Sequence, residues 1–476
     1  MKDINKNDDG NGGYDLIVIG AGSAGFSASI TAADAGKRVA LVGHGTIGGT
    51  CVNVGCVPSK AMIRAAEAIH GAHAAKRFPG LSGHANVDDW HRLIQSKDDL
   101  VATLRQKKYA DLLPEYPGVD YIDDGSARLI EGGALVGGRT LTAPKLIIAT
   151  GGHPVPPTID GIEDIGALDS TSLLALETLP DSLIFIGAGY IGVELAQMMS
   201  RMGVKVTLVT RSHVLPGAEP EVSGALTEAF AAEGITLLTG LSYKNVRRDA
   251  SGVTLRVMQG GEPVEVTADH LVSTAGRRAN SEGMGLEELG VKTDARGSII
   301  IGDDMQTSVP GIYAAGDVTD RDQFVYMAAY GAKLAVKNAV LGEDQRYDNS
   351  AMPWVVFSDP QIAGVGLSEQ QARDAGFDVK TSVVPLDQVP RALAARDTRG
   401  LIKLVADRAT DKLLGGQIIA PEGSDTIQTL VMALKFGMTT KDLGATIFPY
   451  LTTVEGLKLA AQTFDMDVAK LSCCAG

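Results

Sequence analysis

"YDLIVIGAGSAGFSASITAADAGKRVALVG", residues 14–43, decides the fold of this 476-residue chain. Four apolar residues, Leu16–Ile19, run straight into Gly20, Gly22 and Gly25, and a second apolar run ends at Val42. That order predicts strand, glycine turn, helix, strand. The first glycine permits the tight turn. The second lets a pyrophosphate approach the backbone, and the third lets helix and strand pack closely, with the helix N-terminus facing the anion. No charge falls between Leu16 and Ala33, but Asp15 precedes the stretch directly and three glycines interrupt it. It therefore reads as neither a signal sequence nor a membrane span.

The pattern returns in "SLIFIGAGYIGVELAQMMSRMGVKVTLVTR", residues 182–211, with Gly187, Gly189 and Gly192 after the apolar run Leu183–Ile186. One such turn alone is often only a glycine turn. Two in full strand–turn–helix–strand context predict two dinucleotide-binding units. An acid usually ends the second strand and holds the adenosine ribose. Here Gly43, followed by His44, takes that place in the first unit, and Thr210, followed by Arg211, takes it in the second. A neutral residue beside Arg211 favours a 2′-phosphate and hence NADPH. The plain alternative is a solvated loop charge.

The chain has four cysteines. Cys51 and Cys56 lie five apart in "IGGTCVNVGCVPSKAM", residues 47–62, and Cys473 and Cys474 stand side by side near the end. So few in so long a chain make no disulfide framework and point to catalysis or metal. The first pair follows the first unit's second strand closely, which puts it near the sheet edge where nucleotides lie. A redox-active pair beside a nucleotide calls for a redox-active nucleotide, so the first unit is expected to hold FAD and the second the nicotinamide that reduces it. On a regular helix, residues five apart point about 140° away from each other, whereas a bridge wants Cα atoms within roughly 7 Å. Gly48, Gly49 and Gly55 give the backbone freedom to distort, and Pro58 is tolerated only near a helix start. A strained, accessible bridge is the labile kind; the alternative is two unrelated buried thiols. Downstream, "GIYAAGDV" predicts a strand running into Asp317. Its small neighbours admit a ligand, so Asp317 is a candidate for the flavin's ribityl hydroxyls or, more plainly, for capping the helix that follows.

Net charge is −14 with a pI near 5.1, which argues against nucleic acid or an anionic membrane surface as partner. The polar, glycine-rich opening, residues 1–13, predicts a disordered tail. From Ser350 the character changes to strands and then helices without a nucleotide motif, as befits a subunit interface. These features predict a cytoplasmic protein with a subunit interface in its last part and no membrane span.

"GGTCVNVGCVPSK", the paired turns, "GYIGVE", "GRRAN" and "YAAGD" together resemble the flavoprotein disulfide reductases, from Tyr14 to about Gly456. "FPYLTTVEGLKLAAQTF" and the ending "LSCCAG" narrow the likeness to the mercuric reductase branch. The resemblance implies an α/β fold with two Rossmann-like, glutathione reductase-type nucleotide-binding domains and an α+β C-terminal dimerisation domain. Residues 14–151 and 281–346 would bind FAD, 152–280 NADPH, and 347–476 would form the dimerisation domain with its Cys-Cys tail. Carried over, Cys51 is the interchange thiol and Cys56 the thiol in charge-transfer contact with flavin. Lys60 pairs with Glu194 near the flavin ring, Tyr190 gates the nicotinamide pocket, and Gly49, Thr50, Ala127 and Asp317 lie along FAD. The plain readings are a surface ion pair for Lys60–Glu194 and a packed aromatic for Tyr190. Three departures stand out: Gly43 in place of the acid, Ala275 and Ala279 where threonine and proline are frequent, and no room for the N-terminal metal-binding domain many relatives carry.

Relatives that reduce disulfides use a histidine, held by a glutamate, to protonate the departing thiolate. That task needs a pKa near ambient pH. This chain keeps Glu455 but has Tyr450 in the histidine's place, and tyrosine ionises near 10. A metal taken up by thiolates needs no such donor. Cys473 and Cys474 at a chain end suit a soft metal. The expected cycle passes hydride from NADPH to FAD and electrons to Cys51–Cys56. Hg(II) arrives as a thiol complex, moves through Cys473/Cys474 to Cys51/Cys56, and leaves as Hg(0), with the active site shared between the subunits of a homodimer. The rival expectations are a large thioredoxin reductase and a non-catalytic thiol sequestrant of metal.

Overall fold

The computed structural model describes residues 13–319 and 321–467, so Cys473 and Cys474 lie outside the described residues. The chain gathers into two compact units. One takes the chain up to Pro58 together with Gln95–Val155 and Arg277–Tyr347; the other takes Ser59–Ile94, Pro156–Gly276 and the chain from Asp348 onward.

The first unit is built on a parallel sheet, in the order Ile312–Ala314, Leu146–Ile148, β1 (Leu16–Ile19), β2 (Val39–Val42) and β3 (Val119–Ile122). β1 is buried along its whole length because both its faces are covered, which is why its sequence reads as an unbroken apolar run. Leu16 and Val18 pack toward α1 (Ser23–Asp34) and the helix Val325–Val340. Ile17 and Ile19 point the other way, onto the antiparallel strands Ala127–Ile130, Gly133–Val136 and Arg139–Thr142. Each buried side chain of this size contributes about 1.5–3 kcal/mol. The chain leaves β1 toward β2 on one side and returns much later on the other, so the sheet's switch point lies at the glycine turn.

The second unit holds a parallel sheet, Thr236–Leu238, Lys205–Val209, Ser182–Ile186 and His270–Ser273, and an antiparallel sheet, Leu241–Asp249, Gly252–Gln259 and Glu262–Ala268. It also contains the five-stranded antiparallel sheet of the C-terminal part, ordered Pro353–Val356, Gln361–Gly366, Leu413–Ala420, Leu401–Asp407 and Val379–Pro385. Buried ion clusters tie the two parts together. Lys403 Nζ lies 3.0 Å from Glu219, 2.9 Å from Glu221 and 2.9 Å from Glu369. Burial alone would pull the Lys403 ammonium down, but the three carboxylates outweigh it and hold its pKa above the usual range. Arg201 and Arg399 both pair with Glu233 and Asp359. Among the described residues no helix is long and apolar enough to cross a membrane.

Candidate active site

The first glycine turn is packed to the limit. A Cβ on Gly25 would lie 1.7 Å from the Gly20 carbonyl oxygen. Gly22 caps α1 with no side-chain hydrogen bond, and the helix has no acid in its first turn. The leading N–H groups are thus left for an anion, the arrangement a dinucleotide pyrophosphate requires. The residues fit FAD.

The cysteine segment lies against this turn. Gly49 opens α2 (Gly49–Asn53) at φ +66°, and a Cβ there would come within 2.7 Å of the Gly22 Cα. The helix stops at Val54, and α3 (Cys56–Ala74) begins afresh at Cys56. The two cysteines therefore sit on separate helices, and the divergence expected of one continuous helix does not arise. Cys51 is half-buried and Cys56 exposed, and Pro58 falls in the first turn of α3. Asn53 braces α2 by donating to the Ile47 and Gly49 carbonyls, each at 2.9 Å. Arg105 of α4 (Trp90–Lys108) in turn donates to Asn53 Oδ1 at 3.2 Å. Tyr109 packs edge-on against Phe26 and shares a 3.3 Å hydrogen bond with Ser23. Burial raises the Tyr109 phenol's pKa; the Ser23 bond works against that, and nearby Cys51 and Cys56 add to it. Asn53 lies inside the GGTCVNVGCVPSK motif but was given no role there, and Arg105 and Tyr109 belong to no motif; sequence reading missed all three. Thr50 is exposed on α2, and Ala127 is half-buried at the start of its strand. Asp317 opens a short 3-10 turn with Arg277 Nε 3.9 Å away. It does not cap the following helix, whose N-cap is Phe324.

In the second unit, Gly189 caps the helix Tyr190–Arg201 without a side-chain bond or a first-turn acid. A Cβ on Gly189 would meet nothing within 4 Å. Arg211 is exposed just past the strand Lys205–Val209 and makes no ion pair among the described residues. An exposed guanidinium at this edge and an open helix N-terminus fit NADPH. Tyr190 stacks on Trp354 at 5.6 Å and 12°, and burial pushes its pKa up to about 12. One turn on, buried Glu194 is held at both oxygens: Lys60 Nζ lies 2.6 Å from one, and the Phe357 N–H donates to the other at 2.9 Å. Lys60 also sits 5.0 Å above the Phe357 ring. Trp354 and Phe357 went unnoticed in the sequence, although an aromatic pair in a chain with 5% aromatics was the available signal.

Tyr450 is 55% exposed in the turn before the helix Glu455–Gln462. The next residue, Leu451, adopts φ +61°, and its N–H donates to Glu455 at 3.1 Å. Glu455 is only 7% exposed. Its carboxylate holds the backbone beside Tyr450. The described residues contain no cluster of three metal-ligating side chains.

Residues 14–335 match the pyridine nucleotide-disulphide oxidoreductase family, and residues 352–461 match that family's dimerisation domain, which supports self-association. A mercuric reductase from Bacillus cereus is 45% identical over 100% of this chain and 75% of its own length. One from Streptomyces lividans is 45% identical over 98% of this chain and 99% of its own. The structure of an HOCl-induced flavoprotein disulfide reductase from Escherichia coli, solved with Cu(II), superposes with a TM-score of 0.83 at 29% identity, covering 95% of this chain and 99% of that one. The chain belongs to the pyridine nucleotide-disulphide oxidoreductases, flavoproteins that work with FAD and a pyridine nucleotide, and within them to the mercuric reductases.

Proposed function

We propose that this chain uses NADPH to reduce thiol-bound Hg(II) to Hg(0) at Cys51 and Cys56, as a mercury-detoxifying enzyme of the cytoplasm. The observation that carries the reading is Tyr450 with Glu455. A disulfide substrate needs a proton donor with pKa near neutrality. The family's position for one holds a tyrosine, and the glutamate that would orient a histidine is committed to the Leu451 N–H. FAD, when bound, supplies the route by which a pair of electrons passes from NADPH to the cysteine pair.

The protein's part is to bind and hold. Cys51 and Cys56 take Hg(II) as a two-sulfur complex, the coordination a soft cation accepts. The Lys60–Glu194 pair keeps a positive charge fixed where the resemblance puts the flavin ring, and Tyr190, neutral at working pH, covers the nicotinamide site until the cofactor displaces it. Arg211 reads the 2′-phosphate. Residues 14–151 and 281–346 serve FAD, 152–280 NADPH, and 347–476 the dimer contact. Cys473 and Cys474 receive mercury from external thiols and pass it to the partner subunit's cysteine pair. The balance is NADPH plus Hg(II) giving NADP⁺, a proton and Hg(0).

The test is NADPH oxidation with cysteine-complexed Hg(II), glutathione disulfide, lipoamide and thioredoxin presented in parallel. Mercury should be turned over, with the disulfides slower by about 10²-fold or more, the scale of a missing general acid. Preference for thioredoxin would place the activity with the thioredoxin reductases. Mercury bound without NADPH consumption would make the chain a sequestrant.

A further inference from the structure

The first nucleotide-binding unit lacks the acid that usually ends the second strand and hydrogen-bonds the adenosine ribose. Gly43 follows β2 directly. The space beside it is not empty. A Cβ built on Gly43 would lie 2.3 Å from the Tyr121 hydroxyl oxygen and under 3 Å from two further atoms of that ring. An acid at position 43 would begin where this hydroxyl now ends, so phenol and carboxylate compete for one place.

The sheet explains how the phenol gets there. β2 and β3 are parallel with Leu41 opposite Tyr121, and the Gly43 N–H donates to the Ile122 carbonyl at 2.9 Å. Side chains at 41 and 43 share a face by strand alternation, and Tyr121 leans along that face toward the carboxyl edge, where the nucleotide binds. Its phenol is half-buried, yet the hydroxyl makes no hydrogen bond with any described residue. Burial first, and then Asp123, raise its pKa, so it stays protonated at neutral pH. A partly buried hydroxyl without a partner is unfavourable unless a ligand supplies one. His44, the next residue in the chain, is exposed.

We infer that Tyr121 holds the adenosine ribose of FAD in place of the missing acid. A phenol donates and accepts, so it serves a ribose hydroxyl in either sense. Glycine at 43 is then the condition for tyrosine at 121.

The test follows flavin release from the purified holoenzyme by the rise in flavin fluorescence on dilution. It is repeated with protein reloaded with FAD lacking the adenosine 2′-hydroxyl and with FAD lacking the adenosine 3′-hydroxyl. Tyr121→Phe, nearly isosteric, should release FAD about fivefold faster, the scale of one hydrogen bond, and should lose whichever preference for FAD over the deoxy forms the parent shows. Gly43→Glu alone should also speed release, because its side chain meets the phenol. Gly43→Glu with Tyr121→Val restores the acid and the room for it, and should release no faster than the parent. The inference is overturned if Tyr121→Phe keeps both the parent rate and its preference. It is equally overturned if His44→Ala, and not Tyr121→Phe, abolishes that preference.

Discussion

The two glycine turns start alike and differ in what covers them. At the first, the segment carrying Cys51 lies so close that Gly49 has no room for a Cβ beside the Gly22 backbone. At the second, the glycine that corresponds to Gly22, Gly189, faces open space, and Arg211 is exposed just past the end of the neighbouring strand Lys205–Val209. The contrast matches two kinds of nucleotide traffic. On the proposed assignment, a cofactor that stays would be roofed by the redox segment it serves, and a substrate that enters and leaves in each turnover would meet an open helix end. The same local motif is thus set to two tasks by what the rest of the chain lays over it.

The most severe way to break this comparison is at Gly49. Alanine there is forced into a left-handed conformation and against backbone that cannot give, so FAD binding should weaken by roughly 100-fold, and the purified protein should be largely without flavin. Gly189→Ala meets no protein atom and should leave flavin content intact while raising KM for NADPH by a smaller factor. If both variants retain full FAD, the roof over the first turn has no role in holding it.

Arg211→Glu sharpens the second half of the comparison. Losing a charge-assisted phosphate contact costs about 1.5–3 kcal/mol, so KM for NADPH should rise by about tenfold to a hundredfold while KM for NADH changes little. A parallel rise for both nucleotides would show that Arg211 does not read the phosphate.

The smallest expected effect is at Tyr190. Burial lifts its phenol to about 12, above the ordinary value near 10. The folded state therefore keeps a proton that the unfolded chain gives up. The stability this group contributes is fully present below pH 10 and is lost as pH climbs toward 12. Tyr190→Phe has no such proton, so its unfolding free energy should fall less steeply with pH across that window, as measured by urea titration. Identical slopes would mean that the ring's packing does not keep the phenol neutral.

Much of the fold was legible because its rules are local. An apolar run followed by spaced glycines constrains sterics within a few residues, and β1 spans the Leu16–Ile19 read from sequence. The cysteine segment was legible for the same reason. What escaped was set by distant chain. Gly55 and Pro58 allow a break and a fresh helix start here, but they do not say that the first helix stops at Val54 and the next begins at Cys56. Tyr121 fills the gap beside Gly43 from another strand, so the sequence showed a missing acid and no substitute. Lys60 meets Glu194 across 134 residues, a pairing visible only through family likeness, and the aromatic floor of Trp354 and Phe357 had no motif at all. The second nucleotide-binding part and the C-terminal sheet share one apolar core, and Lys403 reaches from the sheet to Glu219 and Glu221, none of which a reading of domains by motif sees.

The central claim is that electrons from NADPH end on mercury. The most direct measurement is the amount of Hg(0) vapour swept from a sealed reaction per NADPH consumed, with cysteine-complexed Hg(II) as sole acceptor and oxygen excluded. The account predicts one Hg(0) for each NADPH, and no vapour from Cys51→Ser or Cys56→Ser. NADPH consumed without mercury vapour, or vapour undiminished in both cysteine variants, would contradict it.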